Sequence, residues 1–110
     1  MPMAKRVPKM VSKLYRLELT DDLRRVLMRL PVRKLVETQV GNHVYMANGE
    51  IMVGPRYYPV RIRVWTDGSE LMASVTAPRA GLEVELPFGT PEDRKAFPDA
   101  VHVAANNCLN

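Results

Sequence analysis

Arg56, Tyr57, Tyr58, Arg61, Arg63 and Trp65 stand close together in one stretch of the chain. They combine guanidinium groups with aromatic rings, the residue types that hold phosphates and stack on bases. The same types also anchor protein interfaces, where Tyr and Arg are enriched at the energetic centre. Tyr57 and Tyr58 therefore have three readings: a base-stacking tip, an anchor in a protein partner, or a cover folded back over a sheet edge. A second set is purely cationic. Arg25, Arg29 and Arg33 recur at i, i+4 and i+8 and would form one row on a continuous helix. Like charges at that spacing disfavour an isolated helix by a few tenths of a kcal/mol per pair. An anionic partner would relieve that repulsion. Lys34 and the arm residues Lys5, Arg6, Lys9 and Lys13 extend the same basic surface. The plainer reading pairs Asp21 with Arg25 and leaves the other cations solvated.

Little else offers chemistry. His43 and His102 are the residues that titrate near neutrality, and they are isolated from one another in sequence. No Cys or His pair has the spacing of a zinc site. Cys108 has no activating neighbour and no partner for an internal disulfide. The glycines sit at turn-like positions and none opens a long helix as a phosphate loop must. Thr66-Asp67-Gly68-Ser69 resembles the strand-borne Thr-Asp-Gly-Ser of ribonuclease H-type enzymes, where the aspartate binds divalent metal with other carboxylates. The resemblance covers four residues, no suitable set of further acids accompanies it, and a tight turn explains the Asp-Gly pair. The expectation is a non-enzymatic protein with no metal and no cofactor.

Charge is distributed unevenly. Residues 1–34 carry ten Lys/Arg against three Asp/Glu, whereas residues 67–110 carry three against seven. A basic end attracts phosphates, an anionic membrane surface or an acidic protein. The chain has 110 residues, 46% apolar and 25% charged, which suits one globular domain with a modest core. A lone cysteine and the lack of a membrane-length apolar run point to a cytoplasmic protein without a membrane partner.

The elements that must position these residues follow from periodicity. Residues 1–9 mix Pro with charge and read as a basic arm. Residues 10–105 read as a single α+β domain, and 106–110 as a frayed tail. Val11 to Leu19 alternates as a strand. Thr20 caps a helix over 21–30, with Leu23, Val26, Leu27 and Leu30 in one stripe. Pro31 ends it, or kinks it with continuation to about 39. Asn48-Gly49 and Asp67-Gly68 are both type I′ hairpin signals. The first turn puts Val44 and Met46 on one face with Ile51 and Val53, and Tyr45 and Met52 on the other. The second puts Val60, Ile62 and Val64 opposite Val75, Ala73 and Leu71. Arg61 and Arg63 then share the outer face with Glu70, Glu83 and Glu85, which invites cross-strand pairs. Leu82–Leu86 is a further strand, and Thr90-Pro91 starts a short helix that Phe97-Pro98 ends near 97. The sum is a mainly antiparallel sheet of about five or six strands with one main helix packed on one face.

This architecture leads to a small binding protein. It would engage nucleic acid or a nucleoprotein through the basic arm and helix, with an exposed Arg56-Tyr57-Tyr58 loop adding contacts. The alternative is a protein-interaction module, such as a small phage- or plasmid-type inhibitor docking on a host protein complex. Self-association into a homodimer through a sheet edge is a third option.

Overall fold

The computed structural model describes residues 21–40 and 44–108. The arm with Lys5, Arg6, Lys9 and Lys13, the strand expected over Val11–Leu19, and His43 lie outside the described residues. The fold is α+β. Five antiparallel strands form a meander, β1 (Val32–Val40), β2 (Val44–Val53), β3 (Arg56–Asp67), β4 (Glu70–Ala77) and β5 (Leu82–Pro87), in spatial order 1-2-3-4-5. Helix α1, described over 21–29, and helix α2 (Pro91–Asn107) cover one face of the sheet. Leu23 and Val26 of α1, and Leu30 just past its end, join Phe97, Val101 and Ala105 of α2 in a single core with the inward residues of every strand from β2 to β5.

The first helix ends before Pro31, the shorter of its two expected extents, and the second helix runs past its expected end. The first does not run on towards 39. Pro31 breaks it, its carbonyl accepts the Met52 N–H at 2.9 Å, and Val32–Val40 becomes the edge strand β1. The helix-like spacing of Val32, Leu35 and Val36 comes from two irregularities in β1, which displace the two-residue alternation. One lies between Arg33 and Val36, where Lys34 takes φ 54°, and the other between Glu37 and Gln39. Conversely, α2 does not stop near 97. Thr90 and Asp93 form a reciprocal capping box, and the helix continues through Pro98 to Asn107. Proline in a helix interior costs about 3 kcal/mol. Here that cost is offset because the Pro98 ring is fully buried beside Phe97 and Val101. Asn106 and Asn107 are thus helical, and Cys108 closes α2 with its N–H on the Ala104 carbonyl at 3.1 Å.

The first hairpin also turns elsewhere. Asn48 and Gly49 lie inside β2, and the two-residue turn is Gly54-Pro55, flanked by the pair Val53 and Arg56. Gly54 has φ 61°, and proline cannot follow it with a positive φ. Only the type II′ pattern accommodates this pair. An uninterrupted β2 puts Tyr45, Ala47, Ile51 and Val53 inward, and Val44, Met46, Asn48 and Met52 outward. Tyr45 is therefore a core residue, and Val44 and Met46 belong to the outer face. Gly49 serves clearance rather than a turn. A Cβ there would lie 2.7 Å from Leu35 Cδ2 and 2.9 Å from the Arg33 carbonyl oxygen, where the β1 bulge presses in.

In the second hairpin the turn residues are Gly68-Ser69. Ile62 pairs with Val75, Val64 with Ala73, and Thr66 with Leu71. The register is two residues away from the expected one. Because strand faces repeat every two residues, every side chain keeps its expected face while its partner changes.

Candidate nucleic-acid interface

The outer sheet face carries no helix among the described residues, and β3 crosses its middle. Tyr57, Pro59, Arg61, Arg63 and Trp65 alternate outward along that strand. Arg56, Tyr57 and Tyr58 are thus not a loop. They are the first three residues of β3, and consecutive strand residues point to opposite faces. Tyr58 pairs with Ile51 and packs on the core, so it is not an exposed anchor. Tyr57 pairs with Met52 on the outer face, and the Arg33 guanidinium lies 3.5 Å from its ring centroid. Arg33 also donates from Nε to Glu50 at 2.8 Å, and Lys34 Nζ lies 3.9 Å from the same carboxylate. Arg56 is exposed at the start of β3, opposite the buried Val53, on the inward set of positions.

The expected basic row on α1 does not form. Arg33 belongs to β1, on the far side of the Pro31 break. Arg25 pairs with Asp22 at 2.8 Å. Arg29 donates to the Lys95 carbonyl at 3.0 Å and to Asp99 at 3.1 Å, tying α1 to α2. His102 reinforces the tie by donating from Nε2 to the Arg29 carbonyl at 2.9 Å. Arg94, which the sequence did not single out, is the buried member of this layer. It donates to Asp22 at 2.8 Å and to the Phe88 and Gly89 carbonyls. A cleft of about 420 Å³ lies between the helices, with Arg25, Arg29 and Lys95 at its rim and Val26 and Pro91 in its wall. The sequence-level candidates therefore fall on opposite layers: Arg25 and Arg29 with the helices, Arg33, Lys34 and Tyr57 at the outer face.

Arg61 and Arg63 behave differently from their neighbours. Neither has a carboxylate within ion-pair distance among the described residues. Arg61 Nε reaches the Asn48 side chain at 3.4 Å, and the Arg63 guanidinium sits 4.6 Å from the Trp65 ring centroid. The expected pairs with Glu83 and Glu85 are absent because β4 intervenes, and Glu70 lies on β4 opposite Asp67, two rungs along from Arg63. Arg61 is in register with Thr76 and Thr76 with Glu83; Arg63 is in register with Ser74 and Ser74 with Glu85. A groove of about 610 Å³ follows these rows. Its arginine side and its glutamate side are two strands apart, roughly 10 Å. The face is thereby polarised, cationic over β1–β3 and anionic over β4–β5.

Other titratable groups read as structural. Tyr45 is buried, and burial first, then a hydrogen bond and the charge of Glu37, raise its phenol well above the usual value. No group of three or more His, Cys, Asp or Glu is placed to hold a metal among the described residues. No helix among them is long and apolar enough to cross a membrane. The arrangement defines a class, an α+β meander with an open, polarised sheet face bearing arginines and aromatic rings. Compared with known family models, curated proteins and solved structures, the chain has no match.

Proposed function

We propose that the protein binds single-stranded nucleic acid along the outer face of β3. The observation that carries this reading is the alignment of Tyr57, Arg61, Arg63 and Trp65 on one open strand face, with Arg61 and Arg63 outside any ion pair among the described residues. Phosphates would sit on the two guanidinium groups and bases on the rings at either end, where stacking contributes about 1–3 kcal/mol per base. The cations of residues 1–20 would add charge without sequence preference.

The test compares two double variants in fluorescence anisotropy with a labelled single strand. Arg61→Ala/Arg63→Ala should abolish most of the binding, and Arg25→Ala/Lys95→Ala on the helix layer should leave it nearly unchanged. The reverse order would move the interface to the helices and refute the proposal.

One observation favours a second reading, docking on a protein. Val36, Met52 and Tyr57 are exposed at 63%, 42% and 38%, beside Arg33. Adaptable apolar side chains next to an Arg–Tyr stack suit a protein contact. A stoichiometric protein complex lost in Met52→Ala or Tyr57→Ala, and indifferent to Arg61→Ala/Arg63→Ala, would support it.

A further inference from the structure

The groove on the outer face has a repeated cross-section. In one rung Arg61 on β3, Thr76 on β4 and Glu83 on β5 are in register; in the next, Arg63, Ser74 and Glu85. Each rung runs from cation through hydroxyl to carboxylate. The rungs are two residues apart along the strands, roughly 7 Å. That is about twice the ~3.4 Å step of a stacked duplex strand, so the repeat matches an extended strand with its bases unstacked. The volume of about 610 Å³ lies within the roughly 300–1,000 Å³ of ordinary ligand sites. At one end a third row follows, Trp65, Met72 and Pro87, which supplies an apolar stop for a stacked base.

With phosphates held on Arg61 and Arg63, the bases would extend across β4 towards β5. What they meet there is a row of acceptors. An ionised carboxylate accepts hydrogen bonds and donates none. Cytosine presents a donor amino group at the position where thymine and uracil present an acceptor oxygen. Aimed at that position, Glu83 and Glu85 would accept from the amino group and repel the oxygen. The same carboxylates keep phosphate off β4–β5, which fixes which side of the groove holds the backbone. Resting on the proposed single-strand binding, we infer that Glu83 and Glu85 are specificity-determining residues that select amino-bearing bases, cytosine over uracil or thymine, at two successive nucleotides.

The test uses the full chain and labelled homopolymers of about twelve nucleotides, a length within the range of single-strand sites. Oligo(C) is compared with oligo(U) in the RNA arm, and oligo(dC) with oligo(dU) in the DNA arm. Within each pair the sugar and backbone are the same, and the bases differ at position 4, amino against oxo, and in the proton that uracil carries on N3. A single favourable pairing gives a preference for cytosine of at least about five-fold. Glu83→Gln/Glu85→Gln should bring the ratio close to one, since an amide can donate to the uracil oxygen as well as accept. Glu83→Ala/Glu85→Ala should do so by removing the acceptors, while raising affinity for both polymers. Both glutamates are exposed, and an unchanged circular dichroism spectrum verifies that the variants fold. Equal wild-type affinity for the two polymers, or a preference that survives in both variants, overturns the inference and leaves single-strand binding standing. Failure to bind any of the polymers overturns both.

Discussion

Replacing Gly49 tests the most specific structural feature, the bulge of β1 pressed against β2. An alanine Cβ would meet Leu35 Cδ2 at 2.7 Å and the Arg33 carbonyl oxygen at 2.9 Å. The leucine methyl can rotate away. The carbonyl belongs to the strand backbone and yields only if β1 moves. Forcing an extra carbon into a packed site costs about 1–3 kcal/mol. Removing glycine's excess freedom in a strand returns about 0.5–1 kcal/mol. The net expectation for Gly49→Ala is a loss of about 1–2 kcal/mol, which for a domain of this size lowers Tm by roughly 5–15 °C. Gly49→Asn separates this cause from a turn requirement. In a turn at Asn48-Gly49, asparagine would be tolerated better than alanine, because it accepts positive φ. Against the β1 carbonyl, the larger side chain should cost more than alanine. Urea unfolding of the three proteins, followed by circular dichroism, decides the matter. An asparagine variant more stable than the alanine variant would refute the placement of Gly49 inside β2.

The helix layer makes its own predictions. Arg94→Ala removes a side chain that is 3% exposed and bonded to Asp22 and two carbonyls, and should cost about 3 kcal/mol in urea unfolding. Arg25→Ala, at a side chain 72% exposed, should cost less than about 0.5 kcal/mol, and comparable losses for the two would contradict the asymmetry. Tyr45 predicts an alkaline limb. Its folded pKa is raised, so its contribution is complete below the unfolded phenol value near pH 10. As pH rises above that value the unfolded chain releases the proton first, and stability falls by up to about 1.4 kcal/mol per pH unit. Tyr45→Phe should flatten the fall measured between pH 8 and pH 10.5, and an unaltered fall would count against the burial of this phenol.

How much of this was legible in the sequence depended on whether local and long-range demands agreed. On β3 and β4 they agreed. Val60, Ile62, Val64, Ala73 and Val75 alternate cleanly, so their faces were readable, and a two-residue slip in register left those faces intact. On β1 they conflicted. The irregularities around Lys34 and Thr38 insert residues that distort the strand period, and the spacing then imitates a helix turn. Asn48-Gly49 has the chemistry of a turn, but its glycine answers to a neighbouring strand that no local pattern reveals. Pro98 looked terminal because its burial against the core is a tertiary fact. The site followed the same division. Arg61 and Arg63 were placed on the correct face, whereas their separation from Glu83 and Glu85 required the strand order. Tyr57 and Tyr58 looked equivalent until the strand was seen to begin at Arg56, which sends one to Arg33 and the other to the core.

The central claim is that cations on the outer face of β3 hold a phosphate backbone. It is tested most directly by the salt dependence of single-strand affinity, followed by anisotropy from roughly 50 to 200 mM salt. Two arginine contacts give a slope of log K against log salt of about −1.4, and each cation of the arm that also engages adds about −0.7. Arg61→Ala/Arg63→Ala should weaken binding and make the slope shallower by about 1.4. Affinity that is absent at low salt, or a slope that is the same in the wild type and the double variant, would contradict the account.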